Sequence, residues 1–277
     1  MTTTKLSDYK AFDAKRLIFS NPDTGNIPGS MNKLTFKRIK IAVKNEDGSI
    51  GDVVIATPPN LLCYGLQEQT DPSTGAVNGY QFPLVLWNNN HPSDDEKTFT
   101  NTIHSICDTC KDHLIANKDA IEKYDLEMND LKKFNPLYYK MDRGRIIEDK
   151  SPVLYAKTLS SKKDGDIKVY TLFTNEENEM VNPLDLMNKR CYVQGALKIE
   201  SIFIGNKISL QMKLLEARVK VIDTSFRSLL NPSVVIHKEP TTPEKSASTT
   251  TKPFITPEPQ SGFTETGSLI DEDEDEN

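Results

Sequence analysis

Residues 191–223 read CYVQGALKIESIFIGNKISLQMKLLEARVKVID. Two long runs rich in Ile, Val and Leu flank Gly205-Asn206, a dipeptide that favours a tight reversal, so the stretch predicts two long adjacent antiparallel strands. Working back along the chain, SPVLYAKTL and IKVYTLFT flank the turn residues KKDGD and predict a second strand pair. MVNPLDLMN, between the two pairs, fits a short helix or an ordered turn. Near the amino terminus LTFKRIKIAV and IGDVVIATPP read as a hairpin across NEDGS, with a bulge expected at Lys37-Arg38 where the alternation slips by one. LLCYGLQEQ and YQFPLVLW add two strands across a long Gly/Pro/Asp loop.

The period changes once. In SDDEKTFTNTIHSICDTCKDHLIANKDAIEKY, Ser93 precedes three acids, and Phe99, Ile103, Ile106, Cys110 and Leu114 recur every three to four residues. That is a capped amphipathic helix, the single long one in the sequence. KKFNPLYYKMDRGRIIEDK (residues 132–150) has no clear period and reads as a loop. Strands, one helix, then more strands in long hairpins that must bend describe a mainly β protein. An oligonucleotide-binding (OB)-like antiparallel β-barrel with insertions suits that order, although an α+β sheet with a helix on one face leaves the same trace. The expected organisation is an amino-terminal arm over 1–30, the barrel domain over 31–238, and a disordered linker and acidic tail over 239–277.

Charge divides the chain at the same place. The formal net charge is −6. From Glu239 onward ten acids face two lysines, a net −8, so the body carries +2. Within the body, 131–220 holds 17 Lys/Arg against 11 Asp/Glu, and 5–44 holds nine against three. A basic body thus bears an acidic tail that ends in DEDEDEN. No apolar run approaches a membrane span, MTTTKLSDYK has no apolar signal core, and four cysteines make no secreted framework. These features predict a soluble intracellular protein with reduced thiols and no membrane partner.

Catalytic strings are missing. The sequence has no glycine-rich phosphate loop, no H-E-x-x-H and no G-x-S-x-G, so a non-enzyme without cofactors is expected. The metal-like string HSICDTCKDH places His104, Cys107, Cys110 and His113 at intervals of three. On a continuous helix turning about 100° per residue they spread over half the circumference, too far for one ion. Buried cysteines and partly exposed histidines are expected there, and no metal.

Basic residues do interleave with aromatics: Tyr138, Tyr139, Lys140, Arg143 and Arg145, then Tyr155 and Lys157, Lys168 and Tyr170, Arg190 and Tyr192, with Lys198 further on. Single-stranded nucleic acid is held by cations that track phosphates and by aromatic faces on which bases stack. The expected contacts are phosphates for Lys140, Arg143, Arg145, Lys157, Lys168, Arg190 and Lys198, and bases for Tyr138, Tyr139, Tyr155, Tyr170 and Tyr192. Trp87 is a weaker stacking candidate, since PLVL before it marks a core strand. The spacing i, i+2 in Tyr155/Lys157 and Lys168/Tyr170 predicts that their two strands pair and share one face.

The layout of 151–223, SPVLYAKTL…IKVYTLF…VNPLDLMNKRCYVQGALKIESIFIGNKISLQMKLLEARVKVID, resembles the carboxy-terminal half of single-stranded DNA-binding proteins from large nucleocytoplasmic DNA viruses. The likeness lies in a strand containing Gly or Ala, an Ile-rich run, a Gly-Asn type turn and a second long strand, over about a quarter of the chain. It implies an OB-like barrel that coats single-stranded DNA without sequence preference in viral replication or repair, in the host cytoplasm or the virion. The acidic tail resembles those of bacterial and phage coating proteins. It is expected to compete with polyanions for the basic groove and to recruit replication proteins, with self-association of the protein on DNA. A viral structural or scaffolding protein, whose β-domain and tail bind other proteins, is the alternative.

Overall fold

A computed structural model describes residues 4–26, 35–71, 74–87, 91–147, 150–163 and 165–222, together with the backbone of 226–227 and 235–236. The strands in chain order are β1 (Leu6–Ser7), β2 (Leu17–Phe19), β3 (Asp23–Asn26), β4 (Thr35–Lys44), β5 (Ile50–Ala56), β6 (Leu61–Cys63), β7 (Gln67–Thr70) and β8 (Val77–Val85). After the helix α1 (Asp94–Ala116) follow β9 (Leu137–Tyr138), β10 (Met141–Asp142), β11 (Arg145–Ile146), β12 (Val153–Thr158), β13 (Ser160–Lys163), β14 (Asp166–Val169), β15 (Leu172–Thr174), β16 (Cys191–Ile204) and β17 (Ile208–Val221). The protein is mainly β with one long helix, as the periodicity predicts.

β16 and β17 form the long hairpin and organise everything else. Cys191 stands opposite Val221 at its open end and Ile204 opposite Ile208 at its turn. Register shifts at Ala196/Leu197 and at Ile199/Ser201 bend the pair, because an extra residue on one strand swings it out of line. Across the bend β16 pairs with β5, past it with β4, and before it with β6. β6 pairs with β8, and β8 with β12. β12 then meets β17 in parallel through two residue pairs, Lys157↔Lys213 and Thr158↔Leu214. The pairings β16–β6–β8–β12–β17–β16 therefore return on themselves.

That last junction is short, and a side chain completes it. The Thr171 hydroxyl accepts the Leu159 amide at 2.8 Å and donates to the Leu214 carbonyl at 2.6 Å, with Thr171 buried. It bridges the two strands just where their backbone ladder stops, so both groups are satisfied out of reach of water. Pro83 sits at another gap: β8 pairs with β6 at Leu84 and Val85 and with β7 from Gln81 back to Val77. A residue with no amide proton costs least where the partner strand changes.

The helix starts with a capping box. The Ser93 hydroxyl accepts the Glu96 amide while the Glu96 carboxylate accepts the Ser93 amide. Its Phe99, Ile103, Ile106, Cys107, Cys110 and Leu114 enter the core with Ile55, Phe82, Leu84, Phe173 and Leu214. The helix runs unbroken through Asp108 and Thr109, so the four nitrogen and sulfur residues diverge. Cys107 and Cys110 are buried, and burial pushes the Cys107 thiol up to about 12. His113 stacks on Phe19 at 4.1 Å, while His104 lies with Nε2 2.9 Å from the Tyr139 hydroxyl. Among the described residues no three metal-ligating side chains come together. No helix among them is long and apolar enough to cross a membrane.

Two local expectations are corrected. Part of the expected arm belongs to the sheet: β1 pairs with β5, and β2 and β3 pair with β4. Its apolar anchors, Tyr9 and Ala14 in the core with Leu17 and Phe19 packed against it, are too widely spaced to show a period. The bulge expected at Lys37-Arg38 is missing, since Lys37 and Arg38 keep regular register with both β3 and β16. The residues of the expected acidic tail, 239–277, lie outside the described residues.

Candidate nucleic-acid interface

Residues directly opposite on paired strands project from the same face of a sheet, so the register can be followed outward from β16. Cys191 and Val193 point into the core, and Tyr192 between them points out. Tyr192 is opposite Leu62, Leu62 opposite Val85, Val85 opposite Val153 and Val153 opposite Tyr138. On the other flank Tyr192 faces Lys220. These residues form one outward row crossing β17, β16, β6, β8, β12 and β9.

A second row lies beside it. Pro83 is opposite Tyr155. Continuing the Cys191↔Cys63 and Cys63↔Leu84 register by one residue puts Tyr64 between Arg190 and Pro83. The Arg190 guanidinium indeed lies over the Tyr64 ring at 5.7 Å. The rows join through Tyr138 and Tyr155, whose rings meet edge to face at 6.3 Å. Burial, then the nearby Tyr138 and Tyr64 hydroxyls, push the Tyr155 hydroxyl above its ordinary value, so the three tyrosines share one neighbourhood.

The patch combines four tyrosines, 64, 138, 155 and 192, each 37% to 56% exposed. They stand around Leu62, Val85, Val153 and Pro83, which are half-buried or buried. A tyrosine held half in and half out on an apolar floor offers a ring face at little entropic cost, since few rotamers remain to be lost. Tyr64 depends on its successor. Gly65 has φ +89, and any Cβ there would run into the backbone of Leu186 and Lys189. That contact is fixed by the Leu66 amide donating to the Leu186 carbonyl at 2.9 Å and by the Asn188 amide donating to Leu66 at 3.2 Å. Only glycine fits, and its turn ends β6 with Tyr64 facing out.

The other candidate residues are distributed more widely. Tyr139 turns the opposite way from Tyr138 and is half-buried against His104. Lys140, Arg143 and Arg145 are exposed in and beside the β10–β11 hairpin, which pairs with no other strand among the described residues. Lys157 follows Tyr155 on β12 and donates to Gln211 Oε1 at 3.3 Å. Lys198 is drawn to Asp52, 3.0 Å away, on the side of β16 that meets β5. Trp87 is half-buried and packs on the core. Lys168 lies over the Tyr170 ring at 5.3 Å, and the Ser161 hydroxyl is 3.3 Å from that of Tyr170.

The expected pairing of the Tyr155 strand with the Tyr170 strand does not occur. The KKDGD turn closes a shorter hairpin, β13 with β14, and β12 lies beyond its base with its edges occupied by β8, β9 and β17. Tyr155 and Tyr170 thus belong to neighbouring elements rather than one ladder. Arg190, Lys140, Arg143, Arg145 and Lys168 form no ion pair among the described residues. Tyr64 was not singled out by the sequence, where the only available signal is its i, i+2 spacing from Leu62.

The family model described as "Protein of unknown function (DUF2738)" matches residues 10–252. The chain belongs to that family. It is 26% identical over 212 residues to the "Early 31 kDa protein" of Frog virus 3 (isolate Goorha), covering 76% of this chain and 77% of that one. It is 23% identical over 196 residues to "Uncharacterized protein 007R" of Invertebrate iridescent virus 3, covering 70% of this chain but 41% of the relative's length. Both relatives are viral proteins, and this member of the family is viral too. Among solved structures, the single-stranded DNA-binding protein from bacteriophage Enc34, in complex with ssDNA, overlays with a TM-score of 0.37 at 14% identity, covering 66% of this chain and 91% of that one. The single-stranded DNA-binding protein gp2.5 of bacteriophage T7 gives 0.40 at 11% identity, covering 62% and 93%. Overlays of that extent leave the assignment to the residues themselves.

Proposed function

We propose that this protein binds single-stranded DNA without sequence preference, as a non-enzymatic coating protein in viral DNA replication or repair, and that its closed circuit of strands is an OB-like barrel. The observation that carries the reading is the pair of outward rows: Tyr138 and Tyr192 in one, Tyr64, Tyr155 and Arg190 in the other, locked by strand register into one patch. Bases have π faces whatever their identity, so a stacking platform of this kind is indifferent to sequence. Arg190 and Lys220 stand at the β16–β17 flank, where phosphates would run. Lys220 is held by Glu176 at 2.9 Å and would exchange that exposed partner for a phosphate. Lys168 and Tyr170 extend the surface toward the β13–β14 hairpin. The acidic tail is assigned to replication partners and to competition for this patch.

The test is a titration of the full chain with oligothymidylate, oligouridylate and duplex DNA over a range of salt. Micromolar or tighter binding to the DNA single strand, weakening steeply with salt as counterions are released, is expected, with duplex bound more weakly. Equal affinity for duplex and single strand, or no dependence on salt, would remove the assignment. Preference for oligouridylate would move it to RNA.

A further inference from the structure

Two elements outside the tyrosine patch each hold a pair of exposed apolar side chains. The first is the β10–β11 hairpin, turned through Arg143 (φ 48) and Gly144 (φ 81). Met141 stands directly opposite Ile146, so the two share a side, and they are 62% and 50% exposed. Arg143 stands at the turn beside them, and Arg145 lies opposite Asp142 on the other face, the one acid among the described residues of the hairpin. Phosphate contacts need cations, but they give no reason to hold two apolar side chains together in water. A protein partner does.

The second element is the turn over 175–185. The Asn175 side chain accepts the amides of Glu177 and Glu179 at 3.0 and 2.8 Å, and the Asn175 amide donates to the Glu179 carbonyl at 2.9 Å. This frame presents Glu177, Glu179 and Met180, followed by Leu184 and Asp185. Met180 and Leu184 are 70% and 51% exposed. The turn is acidic where the hairpin is basic, and each carries two exposed apolar side chains.

They stand at opposite ends of the outward row described above. The hairpin leaves from β9 beside Val153, the first residue of β12. The turn clasps Lys220 on β17, a strand parallel to β12 whose Lys213 lies beside Lys157. Lys220 and Tyr138 end the outward row across β17, β16, β6, β8, β12 and β9, a span of about 24 Å along the sheet at roughly 4.8 Å per strand. One molecule cannot close its own hairpin on its own turn.

We infer that the β10–β11 hairpin of one copy docks on the 175–185 turn of a second copy of this chain. Met141 and Ile146 cover Met180 and Leu184, while Arg143 at the turn, and Arg145 reaching round the narrow edge of the hairpin, meet Glu177 and Glu179. The contact is heterologous, so each added copy leaves one hairpin and one turn free and the assembly grows as an open row. The contact itself needs no nucleic acid; only its alignment along a strand rests on the function proposed above.

Sedimentation equilibrium of the full chain at low salt tests it, with Arg143→Glu/Arg145→Glu and Glu177→Lys/Glu179→Lys as paired variants. Wild type is expected to self-associate, less so as salt is added. Each double variant alone should associate at least about tenfold more weakly, because like charges face each other. An equimolar mixture should return to wild-type association, since the exchanged charges pair across unlike copies. Circular dichroism melts verify that both doubles fold, and Met141→Ser with Met180→Ser repeats the comparison without altering charge. A monomeric wild type at every concentration, or no recovery in the mixture, overturns the inference. If the hairpin grips phosphates instead, its double variant loses affinity for an oligothymidylate too short for two copies and mixing restores nothing. Recovery in the mixture without any oligothymidylate binding would leave this contact standing and remove the proposed function.

Discussion

Replacing Tyr155 by alanine is the sharpest test of the patch. Its ring touches Tyr138, neighbours Tyr64 and stands opposite Pro83, so it lies where the two rows meet. One base stacked there is worth about 1–3 kcal/mol, which is about fivefold to 150-fold in the dissociation constant. Because Tyr138 loses its edge-to-face neighbour in the same substitution, the loss should fall in the upper half of that range. Tyr155→Phe keeps the ring and drops only the hydroxyl, and should stay within about twofold of wild type if stacking supplies the affinity. Fluorescence anisotropy of a labelled oligothymidylate measures both, with Tyr124→Ala as a control at an exposed tyrosine outside the rows. Wild-type affinity in Tyr155→Ala, or equal losses in the Phe and Ala variants, would refute stacking at this position. A double-mutant cycle with Tyr138→Ala should be non-additive, since the rings are in contact.

Arg190→Ala should weaken binding to all single-strand sequences alike and reduce the slope of log affinity against log salt by about 0.7, the share of one phosphate. Gly65→Ala should lower the urea midpoint by the equivalent of about 1–3 kcal/mol, because a side chain at that φ is strained and meets the 186–189 backbone. An unchanged midpoint would contradict the contact. Burial holds His104 and His113 below their ordinary value of 6.5, so the unfolded chain takes up protons first as pH falls. Stability should therefore be level above about pH 7 and decline through pH 6 and below, with the decline reduced in a His104→Gln/His113→Gln chain, as thermal melts across pH would read. Deleting 239–277 removes a net −8 and should raise single-strand affinity, most at low salt where the Debye length is about 30 Å, with little change in melting temperature. An unchanged low-salt dissociation constant would count against competition by the tail.

Element types were legible in the sequence because they are local. The alternation of Cys191, Val193 and their successors, the turn at Gly205, and Ser93 with Glu96 before a helical period all act within a few residues of themselves. Which strand meets which was not legible, because that depends on segments far apart. KKDGD announced a hairpin but not that its ladder would end at Leu159, so Tyr155 was placed beside Tyr170 when its partner is Pro83. Tyr64 became a site residue through Arg190, more than a hundred positions away and joined to it only by register. Composition carried the basic and aromatic content of 131–220 but not its sorting, in which Tyr139 faces inward and Lys198 is committed to Asp52.

The Thr171 latch has a consequence for how the chain folds and what threatens it. The β12–β17 junction joins remote segments through two residue pairs, so it gains little until the long hairpin has already formed, and it should be among the last contacts made. While it is open, β12 and β17 each present an unpaired edge, a template onto which another chain can add a strand. Thr171→Val would strand the Leu159 amide and the Leu214 carbonyl together, prolonging that open interval. Amide exchange at Leu159 would then run ahead of the rest of the sheet, and aggregation during refolding would rise. The tyrosine rows cross the other junctions, β12–β8–β6–β16, so occupying them leaves this edge no better guarded. Protection of this edge against misassembly falls to two residue pairs and one buried hydroxyl.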